Sequence, residues 1–330
     1  MIERRWDRVV KESYRLGARV LFRGASHGDW VYERMRQPRT IATSAMNVVY
    51  YALGIPRIWN AVSVIAEANF GCNLKCKYCW GSGIIKVKRP RLMSWEVLRQ
   101  LMDQLPPSVE TIQWGMLGEP MIHPELKEMT DYIVSRGRRV VMFTNGVLIK
   151  GERLDRLLES KMDVVNISVD VDSECARATR GIDLDEVREN VRELVRRKRP
   201  EMQVKVSMVI GPENAGRMDG VWEYWDGLAE DIKFSAVHDV HGNEDPGKCL
   251  EVWRGNLNVS TEGTVSPCCF DVNEELCIGN IFEESIAQMV QGPRMRRILE
   301  GLVNGNPPPR CVCCRQFTGF SGPLRTPRTR

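Results

Sequence analysis

Cys72, Cys76 and Cys79 fall within the run Gly71-Cys72-Asn73-Leu74-Lys75-Cys76-Lys77-Tyr78-Cys79. Spaced by three residues and then two, three thiolates on one loop can each bind one iron of a four-iron cluster. The fourth iron then has no protein ligand. An open iron accepts a substrate or a cofactor, so the spacing points to chemistry at the cluster rather than electron storage alone. A structural zinc loop needs a fourth ligand, and no histidine stands nearby.

Seven further cysteines gather near the C-terminus at 249, 268, 269, 277, 311, 313 and 314, and Cys175 stands apart. The N-terminus, Met1 to Lys11, is charged throughout and does not read as a secretion signal. Clustered cysteines without such a signal are expected as metal ligands rather than disulfides. Gly263, in Ser260-Thr261-Glu262-Gly263-Thr264, suits a hairpin turn that brings Cys249 and Cys268 together.

These residues need a scaffold. Val62–Asn69 is apolar and β-prone and runs straight into the first cysteine loop. Strands are expected again at Thr111–Trp114, Arg139–Thr144, Asp163–Val169, Gln203–Ile210 and Asp231–Ala236. Between them, apolar residues recur at helical spacing: Leu98, Leu101 and Leu105 after a Ser94 N-cap, then Leu126, Met129 and Ile133 after His123-Pro124. Leu154–Leu158, Asp183–Arg197 and Val221–Leu228 complete the helical set. Six strands alternating with helices predict parallel strands with right-handed crossovers. An open doubly wound sheet and an incomplete barrel both satisfy this, and both put the ligand site at the C-terminal strand ends. Near residue 245 the alternation stops and Gly, Pro and Cys become frequent.

The loop Cys72-x-x-x-Cys76-x-x-Cys79 after a first strand, with aromatic Tyr78 before the last cysteine, resembles the radical S-adenosylmethionine (SAM) superfamily. The resemblance implies a partial (β/α)6 TIM-like barrel over residues 61–245, preceded by a helical N-terminal extension (1–60). It implies that the open iron chelates SAM and that one electron cleaves it to methionine and a 5′-deoxyadenosyl radical, which takes a hydrogen atom from substrate carbon. Gly115-Met116-Leu117-Gly118-Glu119-Pro120 looks like the family's glycine-glycine-glutamate-proline element, with two residues between the glycines. By that likeness Gly118, Glu119 and Pro120 meet the SAM ammonium group. Thr144 and Asn145, before Gly146, and Ser168 and Asp170 resemble positions near the SAM ribose and carboxylate. Arg180 matches an arginine that pairs that carboxylate, and Tyr78 belongs to the same cofactor set.

Cys249, Gly263, Cys268 and the run Cys311-Val312-Cys313-Cys314 are similar to the SPASM or twitch extension of radical SAM enzymes, as is Ile278-Gly279-Asn280-Ile281. This implies a small C-terminal domain (246–330) with an auxiliary [4Fe–4S] cluster on Cys249, Cys268, Cys311 and Cys314. Cys269, Cys277 and Cys313 fall outside that set, and a four-cysteine zinc site is the alternative. The resemblance thus implies two clusters and SAM, and an oxidoreductase or peptide- or metabolite-modifying enzyme. A small molecule or peptide is the expected substrate and flavodoxin or ferredoxin the expected electron donor.

His238, Asp239 and His241 follow the sixth strand and are candidate proton acceptors at the mouth of the site. Cys277 is a candidate hydrogen donor, which would make the enzyme an epimerase. With 43% hydrophobic and 27% charged residues and a net charge of +4, the composition is that of a globular protein and gives nucleic-acid binding no support. Residues 1–40 nevertheless hold ten Lys or Arg against five Asp or Glu. The apolar stretch Ile41–Pro56 follows, too short to span a bilayer. It is expected either to pack on the main domain or to lie in a membrane interface beside the basic segment, the latter suiting a lipid substrate. A cytoplasmic, oxygen-sensitive protein, either free or peripheral to the membrane through residues 1–56, is the expectation.

Overall fold

The computed structural model describes residues 37–79, 91–211, 214, 216–217, 219–236 and 249–312. His238, Asp239, His241, Cys313 and Cys314 lie outside the described residues.

Helix α1 (Pro38–Ala52) precedes strand β1 (Ser63–Ala66). Strand β2 (Asn69–Phe70) enters the cysteine loop and pairs antiparallel with β3 (Arg91–Leu92). There follow α2 (Trp95–Gln104), β4 (Thr111–Trp114), α3 (Leu126–Ser135), β5 (Arg139–Thr144), α4 (Gly151–Glu159) and β6 (Val164–Val169). Then come α5 (Ser173–Arg180), α6 (Leu184–Arg197), β7 (Gln203–Ile210), α7 (Val221–Tyr224) and β8 (Asp231–Ala236). The C-terminal part supplies β9 (Asn256–Val259), β10 (Thr264–Ser266), β11 (Gly279–Asn280), α8 (Ile286–Gln291), α9 (Pro293–Val303) and α10 (Pro309–Val312).

Among the described residues one sheet runs β11-β10-β9-β1-β4-β5-β6-β7-β8, parallel from β9 to β8. From β1 to β8 the order never reverses. Right-handed crossovers that always step the same way put every connecting helix on one face of the sheet. A doubly wound sheet needs a reversal, so the barrel-type alternative is the one realised. The burial pattern agrees. Val64, Ile112, Val140, Val165, Ile167, Val204 and Val206 are fully buried and join the core with Leu98, Met129, Leu157 and Val191 of the helices. Their neighbours in sequence face the other way and are largely polar: Gln113, Asn166, Ser168, Lys205, Ser207 and Lys233.

Three local features depart from the sequence reading. Helix α5 was not expected, although Asp172 caps it by accepting from Cys175 N–H at 2.8 Å and Gly181 closes it at φ 70°. Helix α7 stops at Tyr224 rather than near Leu228, because Gly227 turns left-handed at φ 70°. After residue 245 the chain returns to the first strand: β9 lies parallel to β1 with Ser63 opposite Asn256. The expected hairpin then adds β10 antiparallel to β9, turning at Gly263 with φ 82°.

Among the described residues, no helix is long and apolar enough to cross a membrane. Helix α1 packs on the body through polar residues. Asn47 accepts from Trp59 N–H at 2.6 Å and donates to the Asn60 carbonyl at 2.9 Å.

Candidate active site

The three cysteines sit where the sheet delivers them, on the loop beyond β1 and β2 at the C-terminal end of the strands. Neighbouring strand ends fix that loop. Glu119 N–H donates to the Gly71 carbonyl at 2.9 Å, and Asn69 Nδ2 donates to the same oxygen at 2.6 Å. Lys77 N–H donates to the Thr179 carbonyl at 2.6 Å, tying the loop to the end of α5. Asn145 Nδ2 donates to Asn73 Oδ1 at 2.9 Å and approaches Cys72 Sγ at 3.9 Å.

All three thiols are half-buried and free of disulfides. Burial pushes the Cys72 thiol up to about 11, with backbone donation from Leu74 opposing and the charges of Glu119, Cys76 and Cys79 adding to the rise. Burial raises Cys76 as well, against the pull of Arg180. Such thiols become thiolates when a positively charged partner offsets the cost. Leu74 N–H points at Cys72 Sγ at 3.4 Å, and the Tyr78 hydroxyl is buried with no hydrogen-bond partner among the described residues. A buried group in that state costs about 1–3 kcal/mol unless a ligand satisfies it. The donor set therefore fits an iron–sulfur cluster with a polar ligand beside it. Cubane thiolates bind different irons, so they need not converge. Among the described residues no three His, Cys, Asp or Glu side chains group as ligands of a single ion.

Gly118-Glu119-Pro120 forms the wall behind the loop. Glu119 is 2% exposed. Its Oε1 accepts from Met121 N–H at 3.1 Å and Thr144 Oγ1–H at 2.7 Å, and its Oε2 from Asn145 N–H at 2.8 Å. Burial pushes this carboxyl up while the three donors pull it down. Of roughly four lone-pair positions on a carboxylate, three are taken, and one on Oε2 is left for a ligand. Thr144 and Asn145 thus brace Glu119 and the cysteine loop as well as ending β5. Pro120 opens a short 3-10 turn capped by Glu119.

Ser168 lies on the polar face of the sheet, 3.4 Å from Ser207 hydroxyl to hydroxyl. Asp170, 1% exposed, collects Thr179 Oγ1, Arg180 Nε at 2.9 Å and Asn214 Nδ2 at 3.2 Å. Arg180 also donates from Nη2 to the Val169 carbonyl at 3.3 Å. Two of its five donors are thereby committed. Sequence reasoning missed Asn73, Thr179 and Asn214, which hold this end of the site together. It also missed Glu67, a buried carboxylate just past β1 that accepts from Thr261 N–H at 3.3 Å. The D-x-x-C-type cap of α5 was the one available signal for Thr179.

The C-terminal cysteines assemble from separate segments. Cys268 follows β10, and burial raises its thiol strongly, with Cys269 and Cys249 among the charges that add to the rise. Arg310 Nη2 donates to the Phe270 carbonyl at 2.6 Å, which brings α10 and its Cys311 to the Cys268 segment. Cys249 thus lies near enough to Cys268 to affect its thiol, and the helix that carries Cys311 is tied to the segment just beyond Cys268. Cys277 does not join the cysteine loop. It precedes β11, at the sheet edge three strands from β1, and its thiol donates to the Gly279 carbonyl at 3.5 Å.

A cavity of about 450 Å³ between α3 and α4, lined by His123, Lys127, Arg153 and Arg156, lies on the helix side and away from the cysteines. Lys127 pairs there with Asp131, Arg156 with Glu128 and Lys150 with Glu186, and Arg153 donates to the Met121 carbonyl.

The three-cysteine loop at the open strand ends falls in a segment with known relatives. The radical SAM superfamily profile matches residues 68–221, and that of an iron–sulfur cluster-binding domain, SPASM, matches 249–315. The chain belongs to the radical SAM superfamily and carries a SPASM domain. Both imply [4Fe–4S] clusters, and the first implies SAM. Over 107 residues the chain is 30% identical to the tungsten-containing aldehyde ferredoxin oxidoreductase cofactor-modifying protein of Pyrococcus furiosus, covering 32% of this chain and 30% of that protein. Over 168 residues it is 27% identical to the antilisterial bacteriocin subtilosin biosynthesis protein AlbA of Bacillus subtilis, covering 47% and 36%. The matches thus span about a third of the length of these curated relatives. The structure of Streptococcus suis SuiB bound to precursor peptide SuiA superposes with a TM-score of 0.60 at 12% identity, covering 81% of this chain and 72% of that one. That likeness shows the shared fold, the partial barrel that the motifs implied.

Proposed function

We propose that this chain is a radical SAM enzyme that abstracts a hydrogen atom from a carbon of a polar peptide or small molecule, with an auxiliary cluster assisting. Cys72, Cys76 and Cys79 would hold the SAM-binding cluster, and Cys249, Cys268, Cys311 and Cys314 the auxiliary one. Bound there, the cluster and SAM supply a reductively generated carbon-centred radical. Glu119, through its remaining lone pair, and the three uncommitted donors of Arg180 would orient SAM, with Asp170 fixing the Arg180 plane. Ser168 lies on the same polar face and would meet the ribose. The Tyr78 hydroxyl would find its partner in the bound cofactor. His238, Asp239 and His241 stay candidates for taking the substrate proton, and flavodoxin or ferredoxin for supplying electrons.

One observation carries the reading: three free, half-buried thiols share a loop braced by Glu119 and Asn145 at the C-terminal strand ends. The polar face with Asn166, Lys205 and Lys233 favours a polar substrate. AlbA's part in bacteriocin biosynthesis and the precursor peptide bound to SuiB support a peptide. The test is anaerobic reconstitution followed by dithionite and SAM. About eight irons per chain and 5′-deoxyadenosine are expected, the latter lost in Cys76→Ala. Iron-loaded protein that leaves SAM intact under these conditions refutes the proposal.

A further inference from the structure

Helix α1 is assembled inside out. The residues it buries are Thr40, Thr43, Ser44 and Asn47. The opposite stripe, with Ala42, Ala45, Val49 and Leu53, is exposed, Val49 to 43% and Leu53 to 68%. The orientation is fixed, because Asn47 is bonded to residues 59 and 60 and Tyr51 packs edge-on against Trp253 at 5.5 Å. The apolar surface extends beyond the helix. Trp59, 55% exposed, sits 6.4 Å from the Tyr50 ring, and Val303, 40% exposed, reaches the position a Cβ on Gly54 would contact at 3.9 Å.

The charge pattern around this surface identifies its occupant. No charged residue occurs from Thr40 to Pro56, while Arg39 and Arg57 flank the stretch and are exposed. Residues 1–36, which lead directly into α1, hold nine Lys or Arg against five Asp or Glu. An uncharged apolar stripe with an aromatic edge and cations at both ends matches the headgroup boundary of an anionic bilayer. Pairing with a second copy would instead set like-charged flanks against each other. We propose that α1, with Trp59 and Val303, seats this protein peripherally on an anionic membrane surface. This docking is independent of the reaction assigned above.

The test is anaerobic flotation of the full-length holoenzyme with vesicles. Protein should rise with vesicles of equal parts phosphatidylcholine and phosphatidylglycerol, remain behind with phosphatidylcholine alone, and be released by high salt. The double variant Val49→Glu/Leu53→Glu should lower the floating fraction about tenfold, with iron content and 5′-deoxyadenosine formation unchanged. Trp59→Ser should lower it as well. Protein that stays behind with both vesicle types overturns the proposal, including the case of a soluble dimer that the double variant splits. Flotation that ignores the anionic lipid, or that the variants leave intact, overturns it too.

Discussion

Replacing Gly118 with alanine tests how the Gly118-Glu119-Pro120 segment is held against the cysteine loop. A Cβ there would lie 1.9 Å from the Asn69 carbonyl oxygen and 2.8 Å from Asn69 Nδ2. Real Cβ atoms do not approach closer than 3.0 Å, so about 1.1 Å of movement is required. The obstacle is backbone of β2, paired to β3 through Asn69 and Leu92. Yielding would also disturb the Gly71 carbonyl, which receives both Asn69 Nδ2 and Glu119 N–H beside Cys72. Overpacking costs about 1–3 kcal/mol, and one or two weakened hydrogen bonds about 1 kcal/mol each. The sum, about 2–5 kcal/mol, is survivable for a domain with about 5–15 kcal/mol of stability. The variant should therefore fold, with a lower urea midpoint. Its cysteine loop should be displaced enough to cut 5′-deoxyadenosine formation about 100-fold. Gly115→Ala is the matched control. Its Cβ would meet Gln113 Nε2 at 3.5 Å and Phe143 Cβ at 3.7 Å, ordinary contacts. It should stay within about 1 kcal/mol of the parent. Equal urea midpoints and equal rates for the two variants would refute the close-approach argument.

Met116 sits between these glycines at φ 93°, a region that favours glycine. Met116→Gly should release about 1 kcal/mol of strain and offset the usual entropic penalty, leaving the urea midpoint nearly unchanged. Asp170→Asn removes the carboxylate that pairs Arg180 in a setting only 2% exposed on its own side. A loss of about 3 kcal/mol is expected in chemical denaturation. His123 is buried, and its pKa is lowered by that burial below the ordinary 6.5. The unfolded chain then binds the proton first, so stability falls as pH drops below about 6.5, by at most about 1.4 kcal/mol per pH unit. Midpoints measured across pH 5 to 7.5 should flatten in His123→Gln, and an unchanged slope would refute the assignment. Cys268→Ala should lower bound iron from about eight to about four per chain while SAM still perturbs the spectrum of the remaining cluster.

Local chemistry was legible wherever it depended on neighbours in the chain. Ser94 caps α2 by accepting from Val97 N–H at 3.2 Å, Gly263 turns the hairpin, and β4 to β8 fall within a residue of their expected bounds, whereas β1 stops at Ala66, three residues short of Asn69. The alternation in Gln203-Val-Lys-Val-Ser-Met-Val-Ile also marks one face of β7 as the more polar. Gln203, Ser207 and Val209 on one face of this strand are half-buried, whereas Val204, Val206, Met208 and Ile210 on the other are buried, as is Lys205.

Some contacts were not legible because they join residues far apart in sequence. Gly118 is needed for the approach of Asn69, forty-nine positions earlier, and the Asp170 cluster recruits Asn214 from beyond β7. The return of β9 to β1 across almost two hundred residues follows from no local propensity. Nor did apolar content reveal which side of α1 faces the body. That is set by Asn47, which meets the backbone of residues 59 and 60 in a pair of hydrogen bonds. The amino-acid order alone therefore set the cluster-binding spacing, the period of each element and the family. Packing alone decided which strand ends converge on the thiols and which helix face is left to solvent, because those depend on long-range closure and not on any segment's own preference.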